Sequence, residues 1–392
     1  MTERARQRRR GRLLGADPRM IFPVALLVAV SVLFALVWQS VGQQSDYADS
    51  ERDGIRYIQA LGPLEIALTN AESAAVNGGT AGREPLTRAI EAVAEADKEL
   101  SGSLRTQDRW SELRAKIEAL PATGAPAAVI SAYGGANDLL LALMDKVRNT
   151  SKLIRDPEAD TYYLEDGAAQ ELPEGIVAAA QYTDLLVSVA KQSAADQAKA
   201  VVDISSARSD LASNAQDLSD DVRLAVEASD GGDLGTALLS KLDRFNRSID
   251  NLEPLMAPLL AGKGGVDPAK VVKARDETQA AAADLSAALL TQIDGALSDR
   301  LSSLGLKRLL AAGILAVSVL LAAAPIGLAQ LGRRRRSERP PAHQAPAPAS
   351  VPEPTPVPVP VPVPVPAQWP DPGPYQPSNA EYAQWERFGA SR

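Results

Sequence analysis

Residues 20–38 read MIFPVALLVAVSVLFALVW, and residues 309–329 read LLAAGILAVSVLLAAAPIGLA. Neither stretch contains a charged residue, and a helix of either length crosses a hydrocarbon core about 30 Å thick. Basic clusters flank both stretches and neither has a polar face, which argues against two buried helices of a soluble protein. The sequence therefore predicts a membrane protein with two transmembrane helices.

The distribution of charge predicts the direction of the two crossings. Residues 1–19 contain seven arginines and two acidic residues, and four consecutive arginines occupy positions 333–336. Residues 39–306 contain 25 Lys and Arg against 42 Asp and Glu, a net charge of −17. Because Lys and Arg are retained in the cytoplasm, we expect residues 1–19 and 330–392 to be cytoplasmic and residues 39–306 to lie outside.

A cleaved signal peptide is the alternative interpretation of the first apolar stretch. Ser40 to Gly42 resemble a weak cleavage site, and Arg9-Arg10 before Leu13-Leu14 faintly resembles a twin-arginine signal. However, an apolar run over residues 20–38 exceeds the about 7–15 residues typical of a signal peptide. We favour an uncleaved anchor. The abundance of Ala, and of Arg over Lys, is typical of GC-rich bacterial genomes, so we expect a bacterial cell membrane.

Residues 39–306 show helical periodicity almost throughout. Apolar residues recur at steps of three or four, as in the set Leu285, Leu289, Ile293, Leu297, Leu301 and Leu304. No useful stretch alternates as a strand does. Glycine pairs and prolines mark the breaks, at Gly78-Gly79, residues 121–126, Gly231-Gly232 and residues 262–265. The pattern predicts an all-α domain of six or seven helices, as one antiparallel bundle or as two stacked bundles.

The last predicted helix begins at Asp267-Pro268, where Asp267 is suited to the N-cap and Pro268 to the first turn. Between this start and the second apolar stretch there is no proline. The helix is therefore expected to run unbroken from the outer domain into the membrane. Such a helix can transmit a displacement, or it can serve only as an anchor, and both interpretations stay open.

Composition argues against several kinds of site. The chain contains no Cys and a single His, His343, so thiol catalysis, Ser-His-Asp triads and most zinc sites cannot be built. The carboxylates are scattered through helical patterns and form no recognisable pair. We expect no enzyme activity, no cofactor and no metal. The acidic outer domain gives no reason to expect nucleic acid as a partner.

Residues 149–173, NTSKLIRDPEADTYYLEDGAAQELP, differ from the alanine-rich sequence around them. This segment resembles the D-P-x-x-D-[ST]-Y-Y-L-x-D pattern, followed by L-P, of the extracytoplasmic sensor regions of bacterial methyl-accepting chemotaxis receptors and membrane sensor histidine kinases. The matching positions are Asp156, Pro157, Asp160, Thr161, Tyr162, Tyr163, Leu164, Asp166, Leu172 and Pro173. The resemblance implies an all-helical sensor domain between two spans, and a homodimer. That family continues after its second span with a HAMP linker and a methylation or kinase module, and residues 330–392 contain neither.

Two roles are open for this segment. The structural one treats Asp156 as a helix-capping carboxylate, Pro157 as a first-turn residue and Leu172-Pro173 as an interruption or a new start. The other is ligand binding by Arg155, Tyr162 or Tyr163, because a basic group beside aromatic rings can hold a small carboxylate.

The end of the chain has a composition of its own. Residues 340–377 contain 16 of the 28 prolines, which predicts a disordered, extended tail. Tyr382, Trp385 and Phe388 then recur at steps of three and would share one face of a short helix. This group is a candidate docking site for cytoplasmic signalling proteins, and incidental aromatic residues in a disordered end are the alternative.

Two functional hypotheses follow. In the first, the protein is a membrane-anchored sensor whose outer domain binds a small molecule or a partner and signals through separate cytoplasmic proteins. In the second, it is a non-enzymatic scaffold of the cell envelope with no ligand. A receptor gene that has lost its output module is a third hypothesis.

Overall fold

A computed structural model of the chain describes residues 18–79, 83–229, 231–261 and 266–337. These residues form helices and short connections and contain no strand, which confirms the prediction of an all-α protein. The predicted tail, with His343 and the aromatic group Tyr382, Trp385 and Phe388, lies outside the described residues.

Ten α-helices occur in the described part of the chain. They are α1 Pro18–Val76, α2 Arg83–Leu104, α3 Gln107–Glu118, α4 Pro126–Ser151, α5 Ala159–Asp166, α6 Leu172–Ala190, α7 Ala194–Ala228, α8 Asp233–Leu252, α9 Ala257–Leu260 and α10 Pro268–Ser337. More helices are present than the six or seven predicted, because elements such as the four-residue α9 are too short to show a periodic pattern.

The helix boundaries follow the local chemistry of the sequence at most positions. Helix α1 ends just before Gly78, whose φ of 80° suits glycine. The carboxylate of Asp267 accepts a hydrogen bond of 3.1 Å from the backbone N–H of Ala269 at the start of α10, as predicted. The break between α2 and α3 contains neither glycine nor proline. The chain turns there because Arg105 adopts a φ of 55°.

The parts of α1 and α10 that precede or follow the apolar windows pack against a continuous apolar core. On α1, the fully buried face steps through Ile55, Ile58, Leu61, Leu64 and Leu68. Burial of each such side chain stabilises the fold by about 1.5–3 kcal/mol. On α10, four residues of the predicted stripe are fully buried, namely Leu285, Leu289, Ile293 and Leu297, whereas Leu301 of the same stripe is partly buried.

Three helices are long and apolar enough to cross a membrane, with candidate segments Ala25–Val76, Pro126–Ser151 and Pro268–Ala324. Their environments differ. The apolar window of α4 is 39% buried inside the protein, whereas the windows of α1 and α10 are 6% and 0% buried. Helix α10 is unbroken over 70 residues and ends in a widely exposed apolar surface, with Leu309 and Leu320 at least 70% exposed. Surfaces of this kind on soluble monomers are small, so the prediction of a membrane protein is supported.

Gly54 allows α1 to approach the end of α4 closely. A Cβ at this position would lie 2.3 Å from the hydroxyl oxygen of Ser151 and 3.2 Å from the side chain of Leu153. The close approach brings the adjacent turn of α1, with Glu51, against the segment that carries the sensor-like motif.

We predict that Gly54→Ala destabilises the protein by about 1–3 kcal/mol, because the added methyl group overpacks this contact. The matched control is Gly62→Ala on the same helix, where an added Cβ has no atom within 4 Å in the described part of the chain. That control should stabilise the protein by roughly 0.5–1 kcal/mol. Thermal unfolding of the purified full-length protein measures both changes, and equal shifts for the two variants would contradict the role of Gly54.

Candidate functional site

Residues 149–173, which we call the sensor-like segment, form the connection from the end of α4 to the start of α6. Helix α4 ends at Ser151, and the next residue, Lys152, adopts a φ of 72° before a 3-10 turn over Leu153–Arg155. The carboxylate of Asp156 then accepts a 2.7 Å hydrogen bond from the backbone N–H of Glu158. Helix α5 begins at Ala159, so Pro157 lies before the helix and not in its first turn as predicted.

A π-helical turn, Gly167–Glu171, joins α5 to α6 without a loop. Pro173 occupies the first turn of α6, which agrees with a new helix start at Leu172-Pro173. π-turns are rare in helices and are frequent at functional sites.

The first group surrounds Arg300 of α10. The guanidinium donates to Glu51 at 3.0 Å and to the two carboxylate oxygens of Asp156 at 2.8 and 3.0 Å. It also contacts Glu158 at 3.0 Å. The Arg300 side chain is 11% exposed, and those of Glu51 and Asp156 are fully buried. One arginine therefore joins α1, α10 and the sensor-like segment in a buried ion-pair network.

Glu165 of α5 completes this group, which we call the Arg300 cluster: Glu51, Asp156, Glu158, Glu165 and Arg300. The carboxylate oxygens of Glu51, Asp156 and Glu165 lie within 4.8 Å of one another. Burial, together with the charge of Asp156, raises the pKa of Glu51 to about 8. Burial, together with Glu51 and Asp156, raises the pKa of Glu165 well above its usual value. The cluster holds more acidic groups than its single arginine can neutralise.

A cavity of about 400 Å³ lies beside the cluster, on the side toward the exposed apolar surfaces of α1 and α10. Its charged lining residues are Arg155, Glu158, Arg300 and Lys307, and Gln43, Gln44 and Tyr47 of α1 add polar groups. Tyr47 also donates a 2.6 Å hydrogen bond to the backbone oxygen of Arg155. Three cationic side chains against one carboxylate make the lining basic, so the cavity suits a small anion.

The structure separates the predicted ligand-binding residues. Arg155 is exposed and lines the cavity beside Tyr47, whereas Tyr162 and Tyr163 are not among the lining residues. The two tyrosine rings pack edge to face with centroids 5.3 Å apart. The charge of Asp166, followed by burial, raises the pKa of Tyr162. Arg155, predicted to hold an anion with Tyr162 or Tyr163, therefore lies beside Tyr47 of α1 instead.

The other motif residues make contacts within the protein. Thr161, Leu164 and Pro173 are buried, and the side chain of Asp160 accepts a 2.8 Å hydrogen bond from the backbone N–H of Thr161. Asp166 forms a close ion pair with the buried Arg148 of α4.

A second acidic group includes residues at the two ends of the π-turn. Carboxylate oxygens of Asp166, Glu171 and Asp221 lie within 4.8 Å of one another, and all three residues are partly exposed or at the edge of burial. Burial raises the pKa values of Glu171 and Asp221 to about 7. Arg148 compensates part of this charge through Asp166, and its side chain also contacts Gln170.

Further buried carboxyl groups lie deeper in the core, between α1, α4 and α6. Asn137 donates to Glu72 at 3.1 Å, and Ser73 donates to Asp184 at 2.8 Å. Burial raises the pKa of Glu72 to about 8 and that of Asp184 to about 7. Both groups therefore hold protons near neutral pH.

Sequence reasoning missed Glu51, Glu165, Arg300 and Tyr47 as site residues. A signal was present for two of them. Glu51 lies four residues before Ile55 of the buried stripe on α1, and Arg300 lies between Leu297 and Leu304 of the stripe on α10. A charged residue on the buried face of a helix needs a partner, and this rule would have identified both.

Comparisons of the chain with family models, with curated proteins and with solved structures give no match. The functional argument therefore rests on the residues and contacts of this chain.

Loss of Arg300 should be costly. We predict that Arg300→Met lowers the free energy of unfolding by about 3–5 kcal/mol, because buried carboxylates lose their cationic partner. Arg52 provides a matched control, since it also links α1 to α10 through a 3.1 Å pair with Asp294, but with both side chains more than 40% exposed. Arg52→Met should cost at most about 1 kcal/mol. Similar melting temperatures for the two variants would contradict the importance of the cluster.

The stability of the protein should fall as pH rises from about 5 to about 8. Burial raises the pKa values of Glu72 and Asp184 in the folded state to about 8 and about 7, above their ordinary values of 4.5 and 3.8. In this window the folded state binds more protons than the unfolded state, so the free energy of unfolding decreases with pH. Glu72→Gln should make the decrease shallower. Melting temperatures across the pH range test this, and an unchanged slope in the variant would refute the assignment.

Proposed function

We propose that this protein is a two-pass sensor of a bacterial cell membrane, with residues 39–306 outside the cell and both termini in the cytoplasm. The outer helical bundle binds a small anionic molecule in the cavity beside the Arg300 cluster. Helix α10 carries the resulting displacement across the membrane, and separate cytoplasmic proteins read it.

The two proposed spans are the apolar parts of α1 and α10. Helix α4 is apolar enough to be a third candidate, but it buries polar contacts in the protein core, such as the Asn137–Glu72 hydrogen bond and the Arg148–Asp166 ion pair. In α1 and α10 the apolar windows have almost no protein around them. An even number of spans also agrees with the basic segments at residues 1–19 and 333–336.

One observation carries the sensor proposal: Arg300, on the same unbroken helix as the second span, is held by Glu51 of α1 and by Asp156 of the sensor-like segment. A change in this segment would therefore act on both membrane-entering helices at once. Helices respond as rigid units over this distance because their hydrogen-bond ladders resist bending.

The cavity beside the Arg300 cluster supports the proposal that the protein binds a small anion. Its volume of about 400 Å³ lies within the range of about 300–1,000 Å³ that is typical of small-molecule sites. Arg155 and Lys307 are exposed at its lining and have no ion pair in the described part of the chain. A small carboxylate or phosphate would contact them together with Arg300, which already belongs to the cluster.

The resemblance of residues 149–173 to chemotaxis-receptor and sensor-kinase domains supports a sensory role and a homodimer. Residues 330–392 match none of the output modules of that family, and the proposal assigns the output to separate cytoplasmic proteins. Tyr382, Trp385 and Phe388 are the proposed docking residues for them. A receptor that has lost its output module would have the same sequence features.

A scaffold of the cell envelope is the second candidate, because the 70-residue α10 is equally suited to anchor the outer domain without transmitting a displacement. A thermal-shift screen of the full-length protein against small carboxylates and phosphates distinguishes the two. A ligand at 100 times its dissociation constant should stabilise the protein by about 2.7 kcal/mol. Arg155→Ala should remove the shift, and Arg56→Ala, which changes an exposed arginine elsewhere on α1, should preserve it. Absence of any shift across the screen would favour the scaffold.

The topology can be tested because the chain has no natural cysteine. We expect Ser209→Cys, an exposed position on α7, to react with a membrane-impermeant maleimide in cells whose wall has been removed. Ser350→Cys in the tail should react only after lysis. The reverse pattern would overturn the proposed orientation.

A further inference from the structure

Three buried carboxyl groups of the Arg300 cluster converge on one point. Glu51 comes from α1, Asp156 from the turn before α5 and Glu165 from α5 itself, and their oxygens lie within 4.8 Å of one another. A single guanidinium, that of Arg300, lies among them. With all three groups ionised, two negative charges stay uncompensated in a buried site.

Several oxygens in this group have no partner. In the described part of the chain, both carboxylate oxygens of Glu165 and Oε1 of Glu51 make no hydrogen bond. Glu165 is 1% exposed and Glu51 is 0% exposed. Buried polar atoms almost always have a partner, and an exception calls for a specific explanation such as an ion. This observation is independent of the acidic composition of the cluster.

The donor set indicates the class of ion. The site offers only carboxylate oxygens, without nitrogen or sulfur, and such ligands suit Ca²⁺, Mg²⁺ and Mn²⁺. Glu165 can chelate with both oxygens, and Glu51 offers Oε1. Asp156 keeps lone pairs for a further bond, since a carboxylate has about four acceptor sites. Ca²⁺ fits best because it accepts bidentate carboxylates in irregular geometry.

We propose that Glu51, Asp156 and Glu165 form a binding site for one divalent cation, with Ca²⁺ the preferred ion. When the three carboxyl groups are ionised, the cation neutralises the two charges that Arg300 leaves uncompensated. It fixes α5 to α1, while Arg300 fixes α10 to the same carboxylates. Cation occupancy and the helix contacts therefore depend on each other. Cation binding does not depend on the proposed sensor function. Only a regulatory role for the link between cation occupancy and the helix contacts rests on that function.

The cluster is within reach of solvent through the neighbouring cavity. Glu158 and Arg300 belong to both the cavity lining and the cluster. Glu158 is the one acidic member with a largely exposed side chain, at 56%. It is placed to receive an ion from outside and pass it inward.

The test uses full-length protein, purified in detergent and stripped of metal with a chelator that is then removed. Calorimetry and thermal unfolding are measured with CaCl₂, MgCl₂ and MnCl₂ at constant pH and ionic strength. We expect saturable binding of one Ca²⁺ per chain and a melting temperature that rises with Ca²⁺ concentration. Glu165→Gln, which keeps the shape and removes the charge, should weaken binding at least tenfold, and Glu51→Gln should do the same.

Two controls are available in the chain. Glu65→Gln changes a buried carboxyl group on α1 that has an unpartnered oxygen and lies about four turns from Glu51; it should keep wild-type Ca²⁺ affinity. Asp221→Asn changes the second acidic group and should also keep it. Arg155→Ala should lose the anion response but retain Ca²⁺ binding, so failure of the cation site and failure of the sensor proposal are distinguishable.

Three results would overturn the cation site. The first is no saturable binding to the wild-type protein at millimolar concentrations of the three ions. The second is wild-type affinity in both Glu165→Gln and Glu51→Gln. The third is a loss of binding in Asp221→Asn alone, which would place the ion in the second acidic group.

Discussion

The buried contact of Arg300 with Glu51 and Asp156 is the constraint on which the arrangement of α1, α5 and α10 depends. An arginine cannot be deprotonated in a protein, so its burial requires carboxyl groups that accept its N–H hydrogen bonds. Those groups come from α1 and from the turn before α5. The position of α10 relative to these elements is therefore set by charge as well as by the fit of its apolar stripe.

Apolar packing and ion pairing act on different parts of α10. The stripe from Leu285 to Leu297 is fully buried, and apolar packing of this kind resists small shifts of the whole helix. The Arg300 contact is local and lies nearest to the apolar end of the helix. Two different interactions, apolar packing along the stripe and the ion pairs of Arg300, therefore hold successive parts of α10 in place.

The sequence was sufficient for the helical class, for most breaks and for the continuity of α10, because periodicity, paired glycines and the Asp267-Pro268 start are local signals. It was insufficient for the site. Arg300 is separated from Glu51 by 249 residues and from Asp156 by 144 residues, and no local pattern reports contacts at such separations. The helical period alone would have placed Glu51 and Arg300 on buried faces, but it could not have shown that they meet.

The burial of carboxyl groups along α1 has a thermodynamic consequence. Glu51, Glu65 and Glu72 are all at most 2% exposed, and apolar side chains of similar size would give an equally stable or more stable core. These groups lower the stability of the folded state unless a proton, a cation or an arginine neutralises them. Each neutralisation acts on the contact that its own carboxyl group makes. Neutralisation at Glu51 therefore strengthens the packing of α1 against α5 and α10, whereas neutralisation at Glu72 strengthens its packing against α4 and α6. Because α1 carries buried acidic groups at several positions along its length, neutralisation of one group changes the contacts at that position and leaves those at the other end of the helix unchanged.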